Sequence, residues 1–438
     1  MEEPIQYKAY SVHNFRKIPQ VQTYLTEEEC FEIEVVGRVL PFKVNNYVVD
    51  CLINWENFRN DPMFILTFPQ KEMLDTEDFL TVAKAIKSGA NKTEMQEIVN
   101  EIRLSLNPHP AGQMSKNVPT LDGQRLTGIQ HKYRETVLFF PKQGQTCHAY
   151  CTFCFRWPQF VGMDEMKFGM KETELLIEYL HRHPEVTDIL FTGGDPMIMR
   201  SKIWEGYLNA ILEHAPNIRN IRIGTKALGY WPQRFVNDKD ADELLALFEK
   251  VQKAGKKIAL MAHFNHTVEL KTDMVKEAIQ RLQNVGVEIR SQSPVMRKIN
   301  DRPDVWRDMW KAQVKLGIIP YYMFIARDTG AQDYFAVPLE KCWNIFRKAY
   351  QQVSGLNRTV RGPSMSAGPG KVQVLGVTEI ADEKVFALRF IQGRNPDWVH
   401  RPFFAKYDPD AIWLDELEPA FGKEKFFYQE KITATEAN

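Results

Sequence analysis

From about Thr136 to Ala326 the chain alternates short apolar, β-branched segments with longer amphipathic ones. The short segments predict six β-strands, namely TVLFFP, DILFTG, IRIGTK, KIALMAHF, VEIRSQS and IPYYMFIA. The longer segments carry apolar residues at intervals of three and four and predict helices, for example KETELLIEYLHRH, DADELLALFEKVQKAG, TDMVKEAIQRLQNVG and DVWRDMWKAQVKLG. Parallel strands need crossover connections, so this alternation restricts the chain to an α/β fold with helices outside a parallel sheet.

Six βα units are fewer than a closed eight-stranded barrel uses, and we therefore predict a partial (β/α)6 TIM-like barrel over residues 126–375. Residues 1–125 contain amphipathic stretches such as TEDFLTVAKAIKSG and are predicted to form a mostly helical N-terminal region. Residues 376–438, where the alternation has weakened, are predicted to form a C-terminal extension. In such barrels the chemistry takes place at the C-terminal ends of the strands, so the polar segments there are the candidate site.

The charge balance excludes several classes of function. Lys and Arg total 56, as do Asp and Glu, which argues against a nucleic-acid-binding surface and against binding to anionic lipid. No uncharged apolar run approaches the length of a membrane span, and the start, MEEPIQYKAYSVHNFRK, lacks the basic and then apolar order of a signal peptide. We expect a cytoplasmic protein with no nucleic-acid or membrane partner.

Three of the six cysteines, Cys147, Cys151 and Cys154, fall within eight residues directly after the first predicted strand. In a reducing compartment such a group indicates a metal or iron–sulfur site. This spacing lets one loop place thiolates at three corners of a cubane cluster, whereas structural zinc usually takes paired cysteines from two loops. The alternatives are a zinc site completed by His148 or a distant histidine, and three unliganded core cysteines.

Three thiolates leave one iron of a [4Fe–4S] cluster without a protein ligand. The amino and carboxylate groups of S-adenosylmethionine suit that open position. An electron from the cluster can then break the sulfonium bond and release a 5'-deoxyadenosyl radical. The cysteine loop therefore predicts a radical reaction that starts from this cofactor.

The motif C-x3-C-x2-C at this place is similar to that of the radical S-adenosylmethionine superfamily. Further segments resemble one branch of it, the lysine 2,3-aminomutase family, in the order LPFKVNNYVVDCLI, HKYRETVLFF, LFTGGDP, IRIGTKALGYWPQR, AHFNHTVEL, QSPVMRKIND, PYYMF and GPGK. The resemblance implies an isomerase that moves an amino group from Cα to Cβ of an amino acid. It also implies three cofactors: a [4Fe–4S] cluster, S-adenosylmethionine and pyridoxal 5'-phosphate.

The resemblance implies roles for residues at the strand ends. Gly193, Gly194 and Asp195 end the second predicted strand, and this loop would help to hold the methionine amino group. The alternative is a tight turn in which Asp195 caps the following helix, and the two roles are compatible. His263 and Gln292 would face the adenosyl group; taken alone, each is a polar residue at the rim of the sheet.

Lys371 follows a run of small residues, and the resemblance implies that it holds pyridoxal phosphate as a Schiff base. From the residues alone it would be an exposed loop lysine. The run is less rich in glycine than that of the family, because Ala367 and Pro369 interrupt it. Lys132 and Tyr133 align with a segment that contacts the cofactor near its phosphate, and the alternative there is a solvated basic turn.

The substrate residues show both agreement with the family and departure from it. Arg156 is similar in position to the arginine that pairs with the substrate α-carboxylate. The family holds the distal ammonium of lysine with two aspartates, and the alignment places Arg327 and Ser364 at those positions. A cation there repels an ammonium group and suits a carboxylate. The alternative is a slip of one residue, which would put Asp328 there, although strand alternation would turn Asp328 to the other face.

We therefore predict a 2,3-aminomutase that acts on glutamate, or on another amino acid with an acidic or amide side chain, rather than on lysine. Two other hypotheses remain. One is a radical enzyme of the same family with a different reaction that does not use pyridoxal phosphate, and the other is a zinc-stabilised barrel that binds a partner protein. The expected partners are a small amino acid, a reducing electron donor such as flavodoxin or ferredoxin, and a second copy of the chain through the aromatic tail.

Overall fold

The computed structural model describes residues 6–107, 117–162 and 168–429, which form two compact units. The first unit comprises the described residues up to Arg290 together with Leu316–Ile318 and Asp328–Tyr334. The second comprises Ser291–Lys315, Ile319–Arg327 and the described residues from Phe335 onward. Among the described residues, no helix combines the length and the apolar character that a membrane span requires.

The first unit contains ten of the helices described here. They are α1 (Pro19–Tyr24), α2 (Glu27–Val39), α3 (Pro62–Thr67), α4 (Thr76–Lys87), α5 (Lys92–Ser105), α6 (Thr173–Arg182), α7 (Ser201–His214), α8 (Ala227–Tyr230), α9 (Ala241–Lys253) and α10 (Asp273–Asn284). Capping residues in the sequence mark the N-terminal ends of several of these helices. The side chain of Thr26 caps α2 reciprocally with Glu29, and Asn91 does the same for α5 with Glu94.

The strands of the first unit form small antiparallel pairs and one larger sheet. They are β1 (Ala9–Ser11), β2 (Lys43–Asn45), β3 (Thr120–Leu121), β4 (Gln124–Arg125), β5 (Ile129–Tyr133), β6 (Thr136–Phe139), β7 (Asp188–Phe191), β8 (Asn220–Thr225) and β9 (Lys257–His263). β1 pairs with β2 and β3 with β4, whereas β5 to β9 lie side by side in chain order. From β6 to β9 every neighbouring pair is parallel, so the carboxyl ends of these four strands lie at one edge.

The second unit combines βα repeats with an antiparallel extension. β10 (Glu288–Val295) crosses the boundary between the units, and α12 (Gln332–Phe335) ends at it. The remaining elements are α11 (Pro303–Lys315), α13 (Leu339–Tyr350), β11 (Ile319–Ile325), β12 (Arg361–Ser366), β13 (Gly370–Ile380), β14 (Glu383–Gly393) and β15 (Pro402–Lys406). β11 and β12 are parallel, whereas β12, β13, β14 and β15 follow one another as antiparallel neighbours.

The α/β class predicted from the sequence is confirmed. All six predicted strands are present as β6 to β11, and a helix follows each of them, namely α6, α7, α9, α10, α11 and α13. The domain boundaries stay predictions. The boundary after residue 125 falls between β4 and β5, and the boundary after residue 375 falls inside β13.

The N-terminal segment contributes main-chain and side-chain bonds to the loop that carries the three clustered cysteines. Asn45, at the end of β2, is fully buried, and its amide donates to the carbonyl oxygens of Tyr230 at 2.9 Å and His148 at 3.4 Å. Its side-chain oxygen accepts from the amide of Val48 at 3.0 Å. Farther along, Thr152 bonds through its amide and hydroxyl to the carbonyls of residues 66 and 65 in α3, at 3.0 and 2.8 Å. The cysteine loop is therefore held from the N-terminal side.

We predict that Asn45→Ala lowers the free energy of unfolding by about 2 kcal/mol or more, because the change leaves buried main-chain groups without partners. The neighbouring Asn46 is the matched control, since it bonds to main-chain groups of Gln6 and Lys8 at a solvent-exposed position. Asn46→Ala should cost less than about 1 kcal/mol. Thermal and urea unfolding of both variants measures the difference. Equal losses of unfolding free energy would show that the buried hydrogen bonds of Asn45 do not stabilise the fold.

Candidate active site

The three clustered cysteines lie in an irregular loop that follows β6 and a short 3₁₀ turn at Lys142–Gly144. Burial is the main cause that raises the pKa of each thiol, to about 12 for Cys151, to about 11 for Cys154 and well above the usual range for Cys147. Protonated thiols of this kind lose their protons on binding a metal, because the thiolate is the ligand. Cys154 acts electrostatically on both Cys147 and Cys151, and Cys151 acts on Cys147, so the ionisation of the three thiols is coupled.

A cation acts on each of these thiols, and Lys43 is the one that acts on Cys147. The main-chain amide of Arg156 donates a hydrogen bond to Cys154, and its guanidinium adds a favourable charge interaction. The ammonium of Lys226 acts in the same sense on Cys151. These interactions favour the thiolate form that a cluster requires. Within the described part of the chain, no three His, Cys, Asp or Glu side chains surround a single preformed ion site.

The loop Gly193–Asp195 packs directly against the residues before the first cysteine. Gly193 has a φ of +138°, and a Cβ atom there would collide with the side chain of Gln145. A Cβ atom on Gly194 would collide with the main chain of Thr146. The amide of Asp195 then donates to the Thr146 carbonyl at 2.7 Å. The two glycines are thus required for the close approach of the two loops.

The Asp195 carboxylate is buried and well bonded. One oxygen accepts from the Thr225 hydroxyl at 2.7 Å and from the amide of Met197 at 3.0 Å, and the other accepts from the amide of Lys226 at 2.8 Å. Burial raises the pKa of this carboxyl, and the hydrogen bonds oppose that shift. Asp195 therefore caps the turn after β7, which is the alternative that the sequence left open. Its role towards the methionine amino group stays a prediction.

A buried ion pair that the sequence analysis did not identify connects the ends of β8 and β9. Lys226, directly after β8, pairs with Glu269, which is fully buried, and also donates to Asn265 at 2.8 Å and to the carbonyl of His263 at 3.2 Å. The ammonium lies 4.2 Å from the centroid of the Tyr230 ring. The available signal was a lysine placed immediately after an apolar strand and a glutamate within the polar loop after the next one.

His263 lies at the end of β9, and its ring stacks on that of Phe153 at a centroid distance of 5.6 Å. Phe153 lies between the second and third cysteines of the loop. Burial, together with the nearby charge of Lys226, lowers the pKa of His263 to about 3. The ring is therefore neutral at physiological pH and can accept or donate a hydrogen bond. Gln292, the other residue predicted to face an adenosyl group, is half-buried on β10 in the second unit.

In the second unit, Lys371 lies above an aromatic surface. Its ammonium is 4.0 Å from the centroid of the Tyr322 ring and 5.4 Å from that of Phe324, and these two rings stack at 4.9 Å. Lys371 is the second residue of β13 and is paired with Ser366 of β12. The small residues before it form the tight turn between the two strands, closed by the amide of Ala367 donating to the Gly370 carbonyl at 3.0 Å.

Ser364 lies on the same face of this sheet as Lys371. It is opposite Phe324 of β11 and opposite Gln373 of β13, and directly paired residues project their side chains to one face. The Ser364 side chain is fully buried, and its hydroxyl has no hydrogen-bond partner among the described atoms. An unused buried donor of this kind is costly unless a ligand completes it.

The other predicted residues are placed as follows. β11 ends at Ile325, so Arg327 and Asp328 lie beyond the strand and alternation does not set the direction of either side chain. The Arg156 guanidinium lies 4.2 Å from the centroid of the Phe140 ring. Lys132 lies on β5 with its ammonium 5.5 Å from the ring centroid of Tyr133. The contacts of Arg156, Arg327, Lys132 and Tyr133 with substrate or cofactor therefore stay predictions.

No family model matches the chain. Curated relatives do. A protein of Aquifex aeolicus (strain VF5) described as "Putative L-lysine 2,3-aminomutase" is 31% identical over 394 residues, which are 90% of this chain and 91% of the relative. The L-lysine 2,3-aminomutase of Bacillus subtilis (strain 168) is 29% identical over 71% of this chain, and the match spans 64% of that enzyme.

Among solved structures, a radical SAM methyltransferase from Sphaerobacter thermophilus matches 55% of this chain and 71% of its own with a TM-score of 0.38 and 15% sequence identity, a similarity too low to support an argument. The sequence relatives are decisive, because the alignment with the Aquifex protein runs through nearly the whole length of both chains. It includes the cysteine loop and the loops at the ends of the parallel strands. This chain belongs to the lysine 2,3-aminomutase family of radical S-adenosylmethionine enzymes.

Proposed function

We propose that the protein is an amino acid 2,3-aminomutase that uses a [4Fe–4S] cluster, S-adenosylmethionine and pyridoxal phosphate, and that its substrate has an acidic or amide side chain. The observation that carries the proposal is the loop of Cys147, Cys151 and Cys154, whose three thiols interact electrostatically with one another and each with a nearby cation. When bound, the cluster and S-adenosylmethionine would supply the radical, and pyridoxal phosphate would supply an imine across which the amino group migrates.

The residues of the first unit suit the first two groups. Three thiols from one loop match three corners of a cubane, and the fourth corner is left for a ligand with an amine and a carboxylate. His263 is neutral and lies beside the cysteine loop, where a polar ring can contact an adenosyl group. The buried Tyr230 hydroxyl donates a hydrogen bond to Cys151, so it is a donor placed to contact a sulfur of the cluster.

The second unit suits pyridoxal phosphate. A lysine ammonium above the Tyr322 and Phe324 rings places a nucleophilic amine next to a flat apolar surface on which a pyridine ring can rest. The role of Lys371 would be to hold the cofactor and to be released when the substrate amine takes its place. Arg156 would bind the α-carboxylate of that substrate, since its planar fork suits a bidentate pair.

Ser364 and Arg327 support an acidic or amide substrate. The buried Ser364 hydroxyl can donate to a carboxylate or to an amide oxygen, whereas an aspartate at this position would repel a carboxylate. Arg327 stands where the family has a second aspartate, and its charge favours an anionic side chain. The exchange of two acids for a cation and a hydroxyl reverses the preference of the pocket from ammonium to carboxylate.

Replacing any of Cys147, Cys151 and Cys154 by Ala should abolish the iron–sulfur absorption and the reductive cleavage of S-adenosylmethionine, because two thiolates cannot hold the cubane. The measurement is iron and sulfide content with 5'-deoxyadenosine production on anaerobically purified protein. Cys51→Ala is the matched control, since Cys51 is an exposed free cysteine outside the loop, and it should behave as wild type. Wild-type protein that takes up zinc but never iron and sulfide would contradict the proposal.

Borohydride reduction of protein loaded with pyridoxal phosphate should attach the cofactor covalently to Lys371, as located by peptide mapping. Lys371→Arg keeps the charge and should remove the label. Lys384→Arg is the control and should leave labelling unchanged. Lys384 lies on β14, next to β13, and its ammonium also lies over a tyrosine ring, that of Tyr407. A label on another lysine, or none on loaded wild type, would instead favour a family member that does not use pyridoxal phosphate.

Direct competition between substrates should show turnover of glutamate, or of a similar acidic or amide amino acid, in preference to lysine. Ser364→Ala should lower kcat/KM for the preferred substrate by roughly tenfold to a hundredfold, the value of one hydrogen bond to a charged group. Arg327→Asp combined with Ser364→Asp should weaken that activity further and shift the preference towards lysine. Preferred turnover of lysine by the wild type would show that Arg327 faces away from the substrate.

A further inference from the structure

Lys43 of β2 contacts the cysteine loop, although the two are far apart in the sequence. Its ammonium donates to the carbonyl of Cys147 at 2.7 Å and to the hydroxyl of Thr146 at 2.9 Å, and it lies 4.8 Å from the centroid of the Tyr150 ring. The main chain of Lys43 takes part as well, because its carbonyl accepts from the amide of Tyr150 at 2.7 Å. One residue of the N-terminal segment thus bonds to both sides of the first cysteine.

The charge of Lys43 differs in kind from that of the other lysine near the cysteines. Lys226 forms an ion pair with the buried Glu269, and the Glu269 carboxylate opposes the effect of Lys226 on Cys151. In the described part of the chain, no carboxylate pairs with Lys43; its partners are a carbonyl, a hydroxyl and an aromatic ring. Lys43 is also partly buried, where a charge is less screened by water, and it interacts directly with Cys147.

We infer that Lys43 is a positioning residue of the cluster site, which fixes the loop at Cys147 and supplies a positive charge that raises the reduction potential of the cluster. A cation near an iron–sulfur cluster stabilises the reduced state, which carries one more negative charge. The hydrogen bonds to residues 146 and 147 determine where the first thiolate points, as partners of ligating residues do in other metal sites. The inference rests on the cluster that the proposed function assigns to this loop.

This role explains why the family resemblance begins so far upstream of the barrel. The segment LPFKVNNYVV places Lys43 and Asn45 on one short strand, and both bond to the cysteine loop, to residues 146–148. The N-terminal segment is thus part of the cluster site. Its contribution is both geometric, through the hydrogen bonds, and electrostatic, through one ammonium group.

Two readouts on the full-length protein test the inference. Lys43→Met removes the charge and keeps an unbranched side chain of similar length, and Lys43→Arg keeps the charge. Lys8→Met is the control, since Lys8 is an exposed cation directly before β1 whose ammonium lies over the Tyr10 ring. Hydrogen exchange on the apoprotein measures the order of residues 146–150. A redox titration followed by electron paramagnetic resonance measures the midpoint potential of the reconstituted cluster.

Lys43→Met should exchange faster at residues 146–150 and should hold a cluster with a more negative midpoint potential, whereas Lys43→Arg and Lys8→Met should stay close to wild type in both. Wild-type exchange and potential in Lys43→Met would overturn the inference, and a potential in Lys43→Arg as low as that in Lys43→Met would overturn its electrostatic part. If wild type takes up no cluster, the proposed function fails, but the exchange measurement still decides whether Lys43 orders the loop.

Discussion

The hydrogen bond from the Asp195 amide to the Thr146 carbonyl, 2.7 Å long, holds the cysteine loop against the end of β7. It can form only because two glycines precede Asp195, one of them with a φ of +138°. From this contact the site extends in both directions. Asp195 bonds to Thr225, the last residue of β8, and to Lys226 directly after it, and Lys226 bonds to Glu269 and Asn265 after β9. Three parallel strands thus share one polar network at their carboxyl ends, directly beside the thiols.

Much of this arrangement could be predicted from the sequence. The alternation of β-branched and amphipathic segments predicted β6 to β11, because buried parallel strands and amphipathic helices have different periods. The spacing of the cysteines predicted a shared loop, and the glycines of TGGDP predicted a close approach of main chains. In each case the information is local, since it depends on neighbouring residues or on a fixed interval along the chain.

The remainder depends on long-range contacts that no local pattern encodes. The pair of Lys226 and Glu269 joins residues 43 positions apart, and the bonds from Lys43 cross more than 100 positions. The part of β13 after residue 375, together with β14 and β15, was predicted only as an extension, because the pairing of these strands is interrupted by a register shift near Gly376. The direction of Asp328 was inferred from a strand that ends three residues earlier, at Ile325.

The dependence of the cysteine loop on the N-terminal segment has a consequence for how the protein is made. Residues 43, 45, 65 and 66, which hold the loop through side-chain and main-chain bonds, leave the ribosome well before residues 146–154. The supports of the loop are therefore synthesised before the cysteines that they hold. A separately expressed barrel that starts at residue 126 would present its three thiols without these supports, exposed to oxidation and to the wrong metal during assembly.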